Sequence, residues 1–137
     1  MVCTGNKEKM TARIAVVNDD TDFLELMRDL LELEGYDVRT HKVALNAYAA
    51  LKADHPDLII LDIRMETPEA GWQLLELLQL NPVTVTIPVI VCSADAPFLR
   101  AKEAHLHSRG CHTLEKPFNL DELLAIVSAA LAAAHKR

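Results

Sequence analysis

Four short stretches of the 137-residue chain end in groups that could do chemistry. The apolar run Ile14–Val17 stops at Asn18-Asp19-Asp20, Leu58–Leu61 stops at Asp62, Val89–Cys92 stops at Ser93, and Cys111–Glu115 stops at Lys116. Adjacent carboxylates repel by roughly 1–4 kcal/mol at about 4 Å, so something must compensate, and a cation is the obvious candidate. A turn with a helix cap is the plainer reading of Asn-Asp-Asp, because both residue types favour those positions. Carboxylates with oxygen-only partners suit a hard cation, and Mg²⁺ takes one or two carboxylates plus waters. Lys116 is a compact point charge that could pair with Asp62 or with a phosphoryl group. The Ser93 hydroxyl could donate to a phosphoryl oxygen, and a carboxylate could itself accept a phosphoryl group as an acyl phosphate.

These groups are useful only if the fold brings them together. The runs before Asp62 and Ser93 are continuous, short and rich in Val and Ile, as in parallel strands buried on both faces. Phe23, Leu24, Met27, Leu30 and Leu31 repeat with helical spacing and Gly35 ends that helix. Tyr36–His41 is a weaker strand, and a helix from Ala44 to Ala53 is stopped by His55-Pro56. An irregular loop with Pro68 and Gly71 precedes a helix that begins near Trp72. A further helix spans Pro97 to Arg109, then comes Cys111–Glu115 as a fifth strand. Asn119 with Glu122 forms a capping box for a last helix that runs to Arg137. Strand and helix therefore alternate five times, which demands an α/β fold: a doubly wound parallel sheet with helices on both faces. In such sheets sites form beyond the carboxyl ends of the strands, where the four groups above converge.

The bulk numbers narrow the function. Net charge is −6, with 14 basic against 20 acidic residues, which argues against nucleic acid as a partner. No apolar stretch approaches the roughly 18 residues of a membrane span. Residues 1–12 read as a flexible lead-in without a signal-peptide core, and residues 13–137 as one domain. Three cysteines, Cys3, Cys92 and Cys111, show no disulfide or zinc spacing, so a reducing cytoplasm is expected. Four glycines leave no phosphate-cradling loop, which disfavours nucleotide binding.

"VVNDD", "DLIILDIRM", "IPVIVCSA" and "LEKPF" together resemble the receiver domain of two-component response regulators over about residues 13 to 135. The resemblance implies a flavodoxin-like, five-stranded sheet of order 2-1-3-4-5. It implies that Asp62 accepts a phosphoryl group from a histidine kinase or phosphotransfer protein. Asp19, Asp62 and the backbone carbonyl of Arg64 would hold Mg²⁺ (or Mn²⁺). Ser93 would be the switch hydroxyl, Lys116 would hold the phosphoryl group, and the Lys116–Pro117 bond would be cis. The protein would be a stand-alone switch without catalysis beyond self-dephosphorylation, acting on a downstream protein target; homodimer formation stays open.

Three departures from the family pattern bear on the site. Asn18 stands where an acid is usual, so weaker Mg²⁺ affinity is expected, with Asn18 reaching the metal through a water and Asp20 a compensating ligand. The loop after Asp62 is a residue longer, and Thr113 replaces a common aromatic. Arg64 and Asp95, each two residues past a site residue, are expected to pair across the site mouth. A phosphorylation-independent interaction module on the same fold is the second reading, favoured by Asn18 and Thr113. An aspartate-nucleophile phosphatase is the third; it wants Asp-x-Asp after the first strand, and this chain has Asp19-Asp20 adjacent.

Overall fold

A computed structural model describes residues 11–63, 67 and 69–135. Strands β1 (Arg13–Val17), β2 (Asp37–His41), β3 (Leu58–Asp62), β4 (Val89–Ser93) and β5 (Cys111–Glu115) alternate with helices α1 (Thr21–Leu33), α2 (Ala44–Asp54), α3 (Ala70–Leu80), α4 (Ala96–Ser108) and α5 (Leu120–His135). The sheet is parallel throughout, in the order β2-β1-β3-β4-β5. This is the expected doubly wound sheet.

Why the strands read as continuous apolar runs is plain from the two cores. Ala15, Val17, Ile59, Leu61, Val89 and Val91 point to one face and pack under α2, α3 and α4. Ile14, Val16, Leu58, Ile60, Ile90 and Cys92 point to the other and pack under α1 and α5. A central strand of a two-faced sheet has no side for water, so no polar alternation survives. Leu24, Met27 and Leu31 form the buried stripe of α1, and Gly35 ends it at φ 94°, a conformation costly for a side chain. His55 closes α2 in the left-handed region at φ 49°. Some boundaries differ from expectation by one or two residues. Helix α3 begins at Ala70 rather than near Trp72, β2 begins at Asp37, and α4 begins at Ala96 because Asp95 caps it through the Phe98 N–H. Of the expected lead-in, only Thr11 and Ala12 are described, and the Ala12 carbonyl accepts the Asp37 N–H.

The register sets the site. Val17 pairs with Leu61, and Leu61 with Val91. Asn18, Asp62 and Ser93 therefore leave the sheet at its carboxyl edge within a residue of one level.

Candidate functional site

Asp62 sits at the end of β3 with its side chain only 12% exposed. One carboxylate oxygen, Oδ2, receives two donors: Lys116 Nζ at 2.8 Å and the Asn18 amide nitrogen at 2.9 Å. An ammonium and an amide thus hold the carboxylate from two neighbouring elements. Such charge-assisted bonds are stronger than neutral ones. Asp62, Ser93, Ala94, Asp95 and Lys116 line an open cavity of about 410 Å³.

The Asn-Asp-Asp stretch divides its labour. Asn18 is buried; its Oδ1 accepts the Asp20 N–H at 2.9 Å while its nitrogen faces Asp62. A carboxylate needs a donor and an N–H needs an acceptor, so the network fixes the amide's orientation. Asn18 thus turns its nitrogen toward Asp62 and its oxygen toward the Asp20 N–H. Asp20 caps α1, its Oδ1 accepting from the Asp22 and Phe23 N–H groups. The turn-and-cap reading therefore holds for Asp20. Asp19 lies exposed at the lip of the sheet. Among the described residues, no group of three or more His, Cys, Asp or Glu is placed to hold a metal ion. The oxygen donors of Asp19 and Asp62 nonetheless fit a hard cation that keeps most of its waters. Arg64, the expected carbonyl ligand, lies outside the described residues, and so does its expected pairing with Asp95.

Ser93 ends β4 and is buried. Its Oγ accepts the Asp95 N–H at 3.0 Å, and its carbonyl accepts the Lys116 N–H at 2.8 Å. That second bond ties β4 to the turn carrying Lys116, where the Lys116–Pro117 peptide is cis as expected.

Three features escaped the reading of the sequence. The Phe23 ring lies under the ammonium of Lys116, 4.3 Å from Nζ to the ring centroid, and meets Phe118 edge-on at 6.4 Å. Its helical spacing marked Phe23 only as a core position. Gly71 is required by close approach: a Cβ there would lie 2.4 Å from the Asp62 carbonyl oxygen and 2.3 Å from that of Ile63. No local signal separates this from an ordinary loop glycine. Cys92, which pairs in register with Asp62, is fully buried, and burial pushes its thiol up to about 12 despite the pull of Lys116. It stays protonated and does not compete as a nucleophile.

Residues 14–128 match the response regulator receiver domain family. The nitrogen assimilation regulatory protein NtrX of Azorhizobium caulinodans is 36% identical over 124 residues, covering 89% of this chain and 26% of NtrX. The polar-differentiation response regulator DivK of Brucella ovis is 29% identical over 124 residues, covering 89% of this chain and 98% of DivK. The chain thus spans about a quarter of the first relative and nearly all of the second. The signal receiver domain of a LuxO repressor protein from Vibrio parahaemolyticus superposes with a TM-score of 0.80 at 26% identity, over 92% of this chain and 94% of that one.

Proposed function

This chain belongs to the response regulator receiver family of two-component signalling, and on that premise we propose that Asp62 is its phosphoacceptor, loaded by a histidine kinase or a histidine phosphotransfer protein. The observation that supports this best is the pairing of Asp62 with Lys116 at 2.8 Å at the mouth of an open cavity. A carboxylate oxygen of Asp62 attacks phosphorus; the P–O bond forms as the P–N bond of the donor's phosphohistidine breaks, and the imidazole leaves with the electron pair. Lys116 already lies beside the attacked group, so it neutralises charge on the transferring oxygens without moving far. Ser93 reaches a phosphoryl oxygen once its hydroxyl leaves the Asp95 N–H.

Receiver domains generally bind Mg²⁺ in the active site. Here Asp19 and Asp62, with the carbonyl of Arg64, would hold it, and it would supply positive charge to the phosphoryl oxygens. Receiver domains are generally signalling modules rather than enzymes; loss of the phosphoryl group by self-hydrolysis is the only turnover we assign. The output is a change in protein–protein binding. Phosphorylation adds about −1.5 to −2 charge and biases a pre-existing equilibrium. No helix among the described residues is long and apolar enough to cross a membrane, and we place the protein in the cytoplasm with its kinase's catalytic part.

The test is incubation with a small-molecule phosphodonor, with and without Mg²⁺, followed by intact mass. A single phosphoryl adduct that needs Mg²⁺ and vanishes in Asp62→Asn is expected. An adduct of equal yield in Asp62→Asn, or none at all in the wild type, would favour the interaction-module reading.

A further inference from the structure

Helices α3 and α4 enclose a groove of about 250 Å³ outside the Asp62 site. Trp72, Leu75 and Leu106 line it, together with Leu80, which is 79% exposed. An exposed leucine beside a concave apolar floor is apolar surface that a partner could remove from water. One wall of the groove is cationic. Lys102 Nζ stands 5.7 Å from the Trp72 ring centroid, His105 tilts against that ring at 6.3 Å, and Arg109 lines the end. Glu76 is the carboxylate on the opposite wall. The chain as a whole carries −6, yet the stretch from 96 to 109 holds Arg100, Lys102 and Arg109 against Glu103 alone. Arg100 lies 4.0 Å from Glu115, whereas Arg109 lines the groove and Lys102 stands beside it over the Trp72 ring, against Glu76 alone on the lining. The local charge is therefore opposite in sign to the global charge.

We propose that this groove is the output surface, and that it docks a segment of a partner protein presenting one or two apolar side chains flanked by Asp or Glu. Its volume falls below the roughly 300–1,000 Å³ typical of small-molecule pockets, which suits side chains of a segment better than a free ligand. The apolar anchors fill the floor between Trp72 and Leu106; the flanking carboxylates meet Lys102 and Arg109. Only the regulation of this docking rests on Asp62 being the phosphoacceptor. A chain of contacts links the two places. Ser93 Oγ accepts the Asp95 N–H, Asp95 Oδ1 accepts the Phe98 N–H at 3.1 Å, and the Phe98 ring meets Trp72 edge-on at 6.0 Å. When a phosphoryl oxygen draws away the Ser93 hydroxyl, the first bond breaks, the cap of α4 loosens, and Phe98 shifts against Trp72.

Trp72 is the single tryptophan, so its emission reports on the groove. The probe is a displayed library of random peptides, selected on the wild-type protein. Enriched sequences should pair Leu, Met or Phe with Asp or Glu and shift Trp72 emission. Their affinity should fall about tenfold in Lys102→Glu/Arg109→Glu, the combined loss of two exposed ion pairs. Leu80→Ala, at a position too exposed to threaten folding, should weaken them as well. Enriched peptides without an acidic bias, or affinities indifferent to both variants, would overturn the docking. With Asp62 phosphorylated, as verified by intact mass, affinity should change about fivefold or more, and Phe98→Leu should remove that change. A phosphorylated protein with unchanged affinity overturns the regulatory link. Absence of the adduct instead counts against Asp62 as acceptor, and the docking is still judged by charge reversal.

Discussion

The two ends of the sheet use the same charged groups to opposite effect. At the amino end, Arg13 reaches Asp37 at 3.1 Å and Asp54 at 2.6 Å, its backbone N–H reaches Asp57, and Arg39 adds a second contact to Asp37. These side chains are a quarter to a half exposed. The Arg39 and Arg13 hydrogen bonds hold the Asp37 carboxyl below the usual carboxylate range. This is a wet fastening, each of its carboxylates held by an arginine side chain or backbone N–H. At the carboxyl end, Lys116 and Asp62 are 23% and 12% exposed and face an open cavity that Asp95 also lines. Carboxylates there outnumber the one lysine that meets them. Burial without full matching is poor for stability and useful for chemistry, because the site gains when positive charge arrives.

Four changes probe this contrast, from the largest expected effect to the smallest. Gly71→Ala drives a methyl group into the backbone of Asp62 and Ile63. It should cost about 3 kcal/mol in urea unfolding, the upper part of the range for overpacking, and slow adduct formation on Asp62; an alanine variant as stable as wild type would mean the carboxyl end is slacker than described. Asn18→Asp places a buried acid against Asp62. Without metal it should destabilise by about 1–3 kcal/mol, and Mg²⁺ should raise its melting temperature more than that of the wild type. Equal Mg²⁺ responses would show that the amide is not what limits affinity. Phe23→Leu removes the ring beneath Lys116. A loss of about 0.5–1 kcal/mol is expected, with Phe23→Tyr restoring both stability and the upfield NMR shift of the Lys116 side-chain protons. Arg13→Met tests the other end: the smallest loss of the four in urea unfolding, shrinking as salt is added. Since the folded Asp37 is a stronger acid than the unfolded one, its contribution is present above the unfolded value near pH 4 and lost as pH falls below it. The variant should therefore show a shallower acid limb than the wild type.

Much of this was legible in the residues. The apolar runs had to be two-faced strands, and the rule that parallel sheets build sites at their carboxyl ends drew attention to Asp62, Ser93 and Lys116 before any geometry. Capping chemistry is local, so the Asn119–Glu122 box was readable, and it is formed as reciprocal bonds of 2.9 and 2.8 Å. What stayed hidden depends on contacts across the chain. The direction of the Asn18 amide is decided by Asp62, 44 residues away, and by an N–H two residues on. The need for Gly71 comes from a carbonyl on another element. Lys116 finds Phe23 only after β5 has joined the sheet beside β4, and no spacing rule spans that distance.

The edges of the sheet carry a last consequence. Strands β2 and β5 are each five residues long, and the β2 edge displays Asp37 and Arg39, while β5 ends in the exposed Glu115. Short, charged edges are poor templates for adding a strand from another chain. This protein therefore resists aggregation by sheet extension, which leaves helices and loops as the surfaces for the partner proposed above.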